Sequence, residues 1–118
     1  VLDTSPLTAV VERFADRLRA APQSRLQQGA AAVALELARE LSLRAQRLEA
    51  PGEAPREVPD AGLFVVGDQV AVAGLDLAEA LRAAALAPDS APDSAKAPSG
   101  MLDEAVRLVE QAEVRAMR

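Results

Sequence analysis

The chain contains no cysteine, histidine, tryptophan or tyrosine, and isoleucine and asparagine are missing as well. Without a thiol or an imidazole there is no cysteine nucleophile, no histidine base and none of the usual zinc ligand sets. The Glu-x-x-His pairs of di-iron bundles are excluded for the same reason. A serine nucleophile at Ser24 or Ser42 would have only carboxylates or Lys96, the sole lysine, as its base. With no cysteine there is no disulfide framework, and the redox compartment is not readable from the sequence. Long hydrophobic runs are absent too. The longest, residues 29–35 and 61–67, fall far short of the roughly 18 residues that a membrane span needs. No basic stretch precedes an apolar one at the start, so neither a membrane anchor nor a secretory signal is expected, and the cytoplasm is the expected compartment.

What remains is a narrow apolar alphabet. Among 118 residues there are 27 Ala, 16 Leu and 12 Val, but only two Phe and two Met. That is enough to build one core, and the length fits one domain. The preference for Ala, Leu, Val and Arg over Ile, Asn and Lys is the mark of a GC-rich bacterial genome. The net charge of −5 is unevenly placed: residues 1–58 balance eight arginines against eight acids, whereas residues 59–118 carry five basic residues against ten acids. Arg13, Arg17, Arg19 and Arg25 are interleaved with Glu12 and Asp16. That is a solvated helix face of mixed charge, not a phosphate-binding surface, and no nucleic-acid partner is expected.

Proline and glycine divide the chain into four helical segments. In the first, Pro6 suits an opening helical turn behind a Ser5 cap, and Leu7, Val10, Val11, Phe14 and Leu18 recur at helical spacing. The second opens on Ser24-Arg25-Leu26-Gln27, a capping-box pattern, and carries Leu26, Ala30, Val33, Leu37, Leu41 and Leu48 on one stripe. Ala31, Ala34, Ala38 and Ala45 form a second stripe, while Leu35 and Leu43 lie on neither. Residues 50–60, with Pro51, Pro55 and Pro59, read as an extended connection.

The third segment places Leu63, Val66, Val70, Ala73, Leu77, Leu81 and Ala84 at steps of three and four. Val-rich runs around Gly67-Asp68 allow a hairpin over 63–72 instead. Small residues (Gly67, Ala71, Gly74, Ala78 and Ala85) share one stripe of this helix. They are expected to meet the alanines of the second helix at close range. Ala-Pro-Asp-Ser is doubled over Ala87–Ser94, and residues 88–100 read as a flexible linker. The last segment has Ser99 as a cap, Asp103 within reach of Arg107, and an apolar face of Leu102, Ala105, Val106, Val109, Ala112 and Ala116.

These segments predict an all-α, single-domain chain: an antiparallel four-helix bundle with helices at about 6–21, 24–49, 61–87 and 100–117. Since the outer helices are short, the off-stripe residues Leu35, Leu43, Val65, Val72 and Leu75 are expected to meet a second copy. The expected function is that of a non-enzymatic, homodimeric protein acting through protein–protein contacts, with no cofactor. The alternative is chemistry at acids. Three carboxylates, Asp68, Asp76 and Glu79, fall in one sector of the third helix, and oxygen ligands favour Mg²⁺. Glu36-x-x-x-Glu40 and Asp76-x-x-Glu79 come nearest to the Glu-x-x-Glu and Glu-x-x-Asp pairs of the all-α nucleoside-triphosphate pyrophosphohydrolases. Arg39 stands where the second Glu belongs, however, and the second pair has its acids reversed. Under that alternative Glu36, Glu40, Asp76 and Glu79 are the metal ligands of a hydrolase. A third possibility is a sensor that takes a small apolar ligand between its helices.

Overall fold

The computed structural model describes residues 1–87 and 97–118. Every regular element among them is helical: α1 (Ser5–Ala20), a single turn α2 (Gln23–Arg25), α3 (Ala31–Glu49), α4 (Val66–Leu86) and α5 (Pro98–Ala116). A widened turn, Leu26–Ala30, joins α2 to α3 in one kinked rod, so four rods make the bundle. Phe14, Leu7, Leu41, Leu77, Leu81, Val11, Val70 and Val109 form the centre of its core, all fully buried.

The kink was not expected inside a helix drawn over 24–49. Gly29 sits at φ 139°, in the region that only glycine enters freely, and the Ala31 N–H reaches back to the Leu26 carbonyl, five residues away. Neither Ser24 nor Ser99 caps a helix; α2 starts behind Pro22 and α5 behind Ala97. At α1 the Asp3 Oδ1, not the Ser5 hydroxyl, takes the first free N–H, that of Ser5 at 3.0 Å. Asp103 and Arg107 form no ion pair. Alanine at position 29 would have to hold the same strained backbone, at a cost of about 1–3 kcal/mol. Gly29→Ala should therefore lower the thermal midpoint, even though a β-carbon there would meet nothing within 4 Å.

α4 begins at Val66, five residues later than the sequence predicts. Gly62 adopts φ 103°, its N–H bonds to Asp60 Oδ1 at 3.1 Å, and residues 63–65 form a turn. The same turn followed by helix replaces the alternative hairpin over 63–72. At the other end of the expected linker, residues 98–100 already belong to α5; residues 88–96 lie outside the described residues.

Side-chain bonds to the connection fix the direction of α4. The Gln46 amide donates to the Arg56 carbonyl and accepts the Arg56 N–H, each at 2.8 Å. Arg39 Nε donates to the Val58 carbonyl at 2.8 Å, and Gln69 Nε2 donates to that of Pro59 at 2.8 Å. The chain thus turns at residues 50–53 and runs back along α3 before α4 starts. Val66 and Gln69 consequently lie beside the first half of α3, and Asp76 and Glu79 beside Ser42, Gln46 and Glu49. α3 and α4, which share the largest interface, run parallel to each other, not as the direct antiparallel pair expected. Their antiparallel partners are α1 and α5. Gly67 lies on Ala15 and Arg19, Gly74 on Val11, and Arg82 Nη1 donates to the Thr4 hydroxyl. On the other side, Arg25 reaches the Arg118 carbonyl and Arg44 reaches Glu104.

This arrangement also reassigns the small-residue stripe. Gly67 and Gly74 face α1, and the alanines of α3 are not their partners. A β-carbon at Gly74 would lie 2.5 Å from Val11 Cγ1, and one at Gly67 would lie 3.1 Å from the Ala15 carbonyl oxygen. The glycines are there because α1 crosses α4 closely.

Candidate functional site

α3 buries Ala34, Leu37, Ala38, Leu41 and Ala45. The opposite side of the same helix, stepping through Ala32, Leu35, Glu36, Arg39 and Leu43, is left facing outward. Two ridges flank it: the returning connection, tied down by Gln46 and Arg39, and the α5 side chains Leu108, Gln111 and Arg115. Together they enclose an open trough of about 1240 Å³. Leu35 and Leu43, the two leucines without a place in either sequence stripe, are half-buried in its lining.

Ion pairs brace the trough. Arg44 sits between Glu40 at 2.7 Å and Glu104 at 2.6 Å, joining α3 to α5. Burial works against the Arg44 charge, but the two carboxylates outweigh it and hold the guanidinium pKa above its ordinary value. Arg39 lies 3.4 Å from Glu57, and Asp60 takes the Gly62 N–H. Among the described residues, three charged side chains in the lining have no partner: Glu36, Arg56 and Arg115.

A second surface runs along the outward side of α4. Val65, Val72 and Leu75 are 37%, 59% and 46% exposed, with Phe64 just before the helix and Leu86 at its end more exposed still. Among the described residues, these five make up most of the large apolar side chains left in water; the others are Val1 and Val114. Acids are interleaved with the stripe. Asp68 is held by Arg19 at 2.7 Å and Glu79 by Arg82 at 3.3 Å, while Asp76 has no partner among the described residues.

The five residues expected at an interface therefore divide between two surfaces, Leu35 and Leu43 in the trough and Val65, Val72 and Leu75 on the stripe. The four acids of the hydrolase alternative divide as well. Glu36 and Glu40 line the trough, whereas Asp76 and Glu79 border a smaller hollow of about 430 Å³ near the far end of α3, with Glu49 and Glu57. Among the described residues no three acidic side chains converge to hold a metal ion, and none of their helices is long and apolar enough to cross a membrane.

Sequence reasoning missed one charged cluster altogether. Glu113 on α5 has a side chain only 8% exposed, gripped by Arg13 at 2.8 Å and Arg17 at 3.0 Å from α1. The signal was present: position 113 follows Ala112 and lies four residues after Val109, on the buried side of the helix. No family model, curated protein or solved structure matches the chain, so the side chains themselves carry the functional argument.

Proposed function

We propose that this protein acts through protein–protein contacts, in the cytoplasm, and that a second copy of the chain is a partner. The observation that supports this is the apolar stripe on α4. A helix that is otherwise the most thoroughly packed in the bundle keeps Val65, Val72 and Leu75 in water along one side. Val72 and Leu75, three residues apart on the helix, form an exposed apolar pair, and exposed apolar patches mark interaction sites on soluble domains, whereas single exposed leucines do not. The acids offer less: Glu40 and Glu79 are each engaged by an arginine of their own helix.

Light scattering at micromolar concentration should report at least twice the 12.3 kDa chain mass. Val72→Glu should return the protein to the mass of a single chain, because it buries a charge in the contact, while leaving the helical circular dichroism intact. A wild-type protein that stays at the chain mass would overturn the reading.

A further inference from the structure

The two surfaces differ in shape. The α4 stripe is exposed side chains on an outward helix face, whereas the trough over α3 is sunk between the connection and α5. We propose that copies of this chain join by seating the α4 stripe of one in the α3 trough of the next, a head-to-tail contact. The inference rests on the self-association reading and names its geometry.

Two observations support it. A two-fold contact centred on either surface alone would set that surface against itself. Stripe on stripe would bring the acids Asp68, Asp76 and Glu79 toward their own copies, and trough on trough would close one hollow over another. Head to tail, Val65, Val72 and Leu75 enter a lining that contains Leu35, Leu43, Leu63 and Leu108. Charge follows the same direction. Among the described residues, the trough holds two unpartnered guanidiniums, Arg56 and Arg115, against one unpartnered carboxylate, Glu36, while the stripe brings Asp76 without a partner. Such a contact leaves one stripe and one trough open at the ends, so it either closes into a ring or extends.

Complementation between two variants tests the geometry. Val72→Glu spoils the stripe and leaves the trough; Leu43→Glu spoils the trough and leaves the stripe. Each variant alone should scatter as one chain. An equimolar mixture should scatter as two chains and no more, because only one live trough and one live stripe remain to meet. Circular dichroism and a cooperative melt establish that each variant is folded. Should Leu43→Glu fail that check, Leu108→Glu on the α5 ridge takes its place. If the trough variant keeps the wild-type mass while Val72→Glu loses it, the copies meet stripe to stripe. That would overturn the head-to-tail geometry and leave self-association standing. A mixture that stays at the mass of one chain would overturn it too.

Discussion

Gly74→Leu should lower the thermal midpoint by roughly 10 °C, corresponding to about 3 kcal/mol. The β-carbon alone would fall 2.5 and 2.6 Å from the two γ-methyls of Val11, well inside van der Waals contact. Val11 is fully buried and branched at Cβ, so it has no alternative rotamer into which to retreat. The strain must be relieved by moving α1 away from α4, which opens the rest of that interface. Gly74→Ala should destabilise less, because it adds the β-carbon alone, while better helix propensity returns about 1 kcal/mol. Gly100, also helical, offers the control: nothing lies within 4 Å of a β-carbon there, and Gly100→Ala should be neutral or slightly stabilising. A double-mutant cycle with Val11→Ala should show that the two positions are coupled. Equal midpoints for wild type and Gly74→Leu would mean that α1 does not lie where it is described.

Removing both arginines from Glu113 is the other severe change. Arg13→Ala with Arg17→Ala leaves a nearly buried carboxylate with neither of its partners, and should cost about 3 kcal/mol. Arg17→Ala alone should cost about 1 kcal/mol, since Arg13 still grips the carboxylate through Nε and Nη2. Glu113→Leu on the doubly truncated background should recover most of the loss, because the liability there is the stranded charge. Acid tests the same group. Burial pushes the Glu113 carboxyl pKa up, but the bonds from Arg13 and Arg17 outweigh it and hold the pKa below its usual 4.5. A carboxyl whose pKa is lower in the folded chain stabilises the fold above the unfolded value and loses that contribution as pH falls through the folded one. Chemical denaturation should therefore show wild type more stable than Glu113→Gln at neutral pH, with the gap narrowing below about pH 4.5. A gap that does not change with pH would mean that the arginines do not act through the charge.

The helices were legible because their periodicity was written in Leu, Val and Ala at steps of three and four, and α1 and α5 came within two residues of their expected bounds. The direction of α4 was not, because a proline-rich connection of the same composition either turns a corner or runs back along its helix. Bonds from Gln46, Arg39 and Gln69 to backbone atoms decide between the two, and such bonds leave no periodic trace. The closeness recorded in Gly67 and Gly74 was readable; its partner was not, since small residues on α3 and a valine on α1 both satisfy the pattern. Leu35 and Leu43 are half-buried in the trough lining, and Leu35 also packs against the core. That they line a different surface from Val72 and Leu75 follows from where the connection and α5 lie, which the sequence of α3 does not contain.

The returning connection also determines what can form first. Helices adjacent in the chain ordinarily fold back on each other as local hairpins. Here α1 and α3 scarcely touch, and α4 and α5 share only a small contact. The main interfaces pair α1 with α4, α1 with α5 and α3 with α5, while α3 and α4 meet only once residues 50–60 have been laid back along α3. Each of these closures spends chain entropy before side-chain burial offsets it. A single backbone cut within residues 50–60 would separate α1–α3 from α4–α5, two fragments that each lose nearly all of their partners. The single core is shared by both fragments, so the bundle is expected to assemble and come apart as one unit.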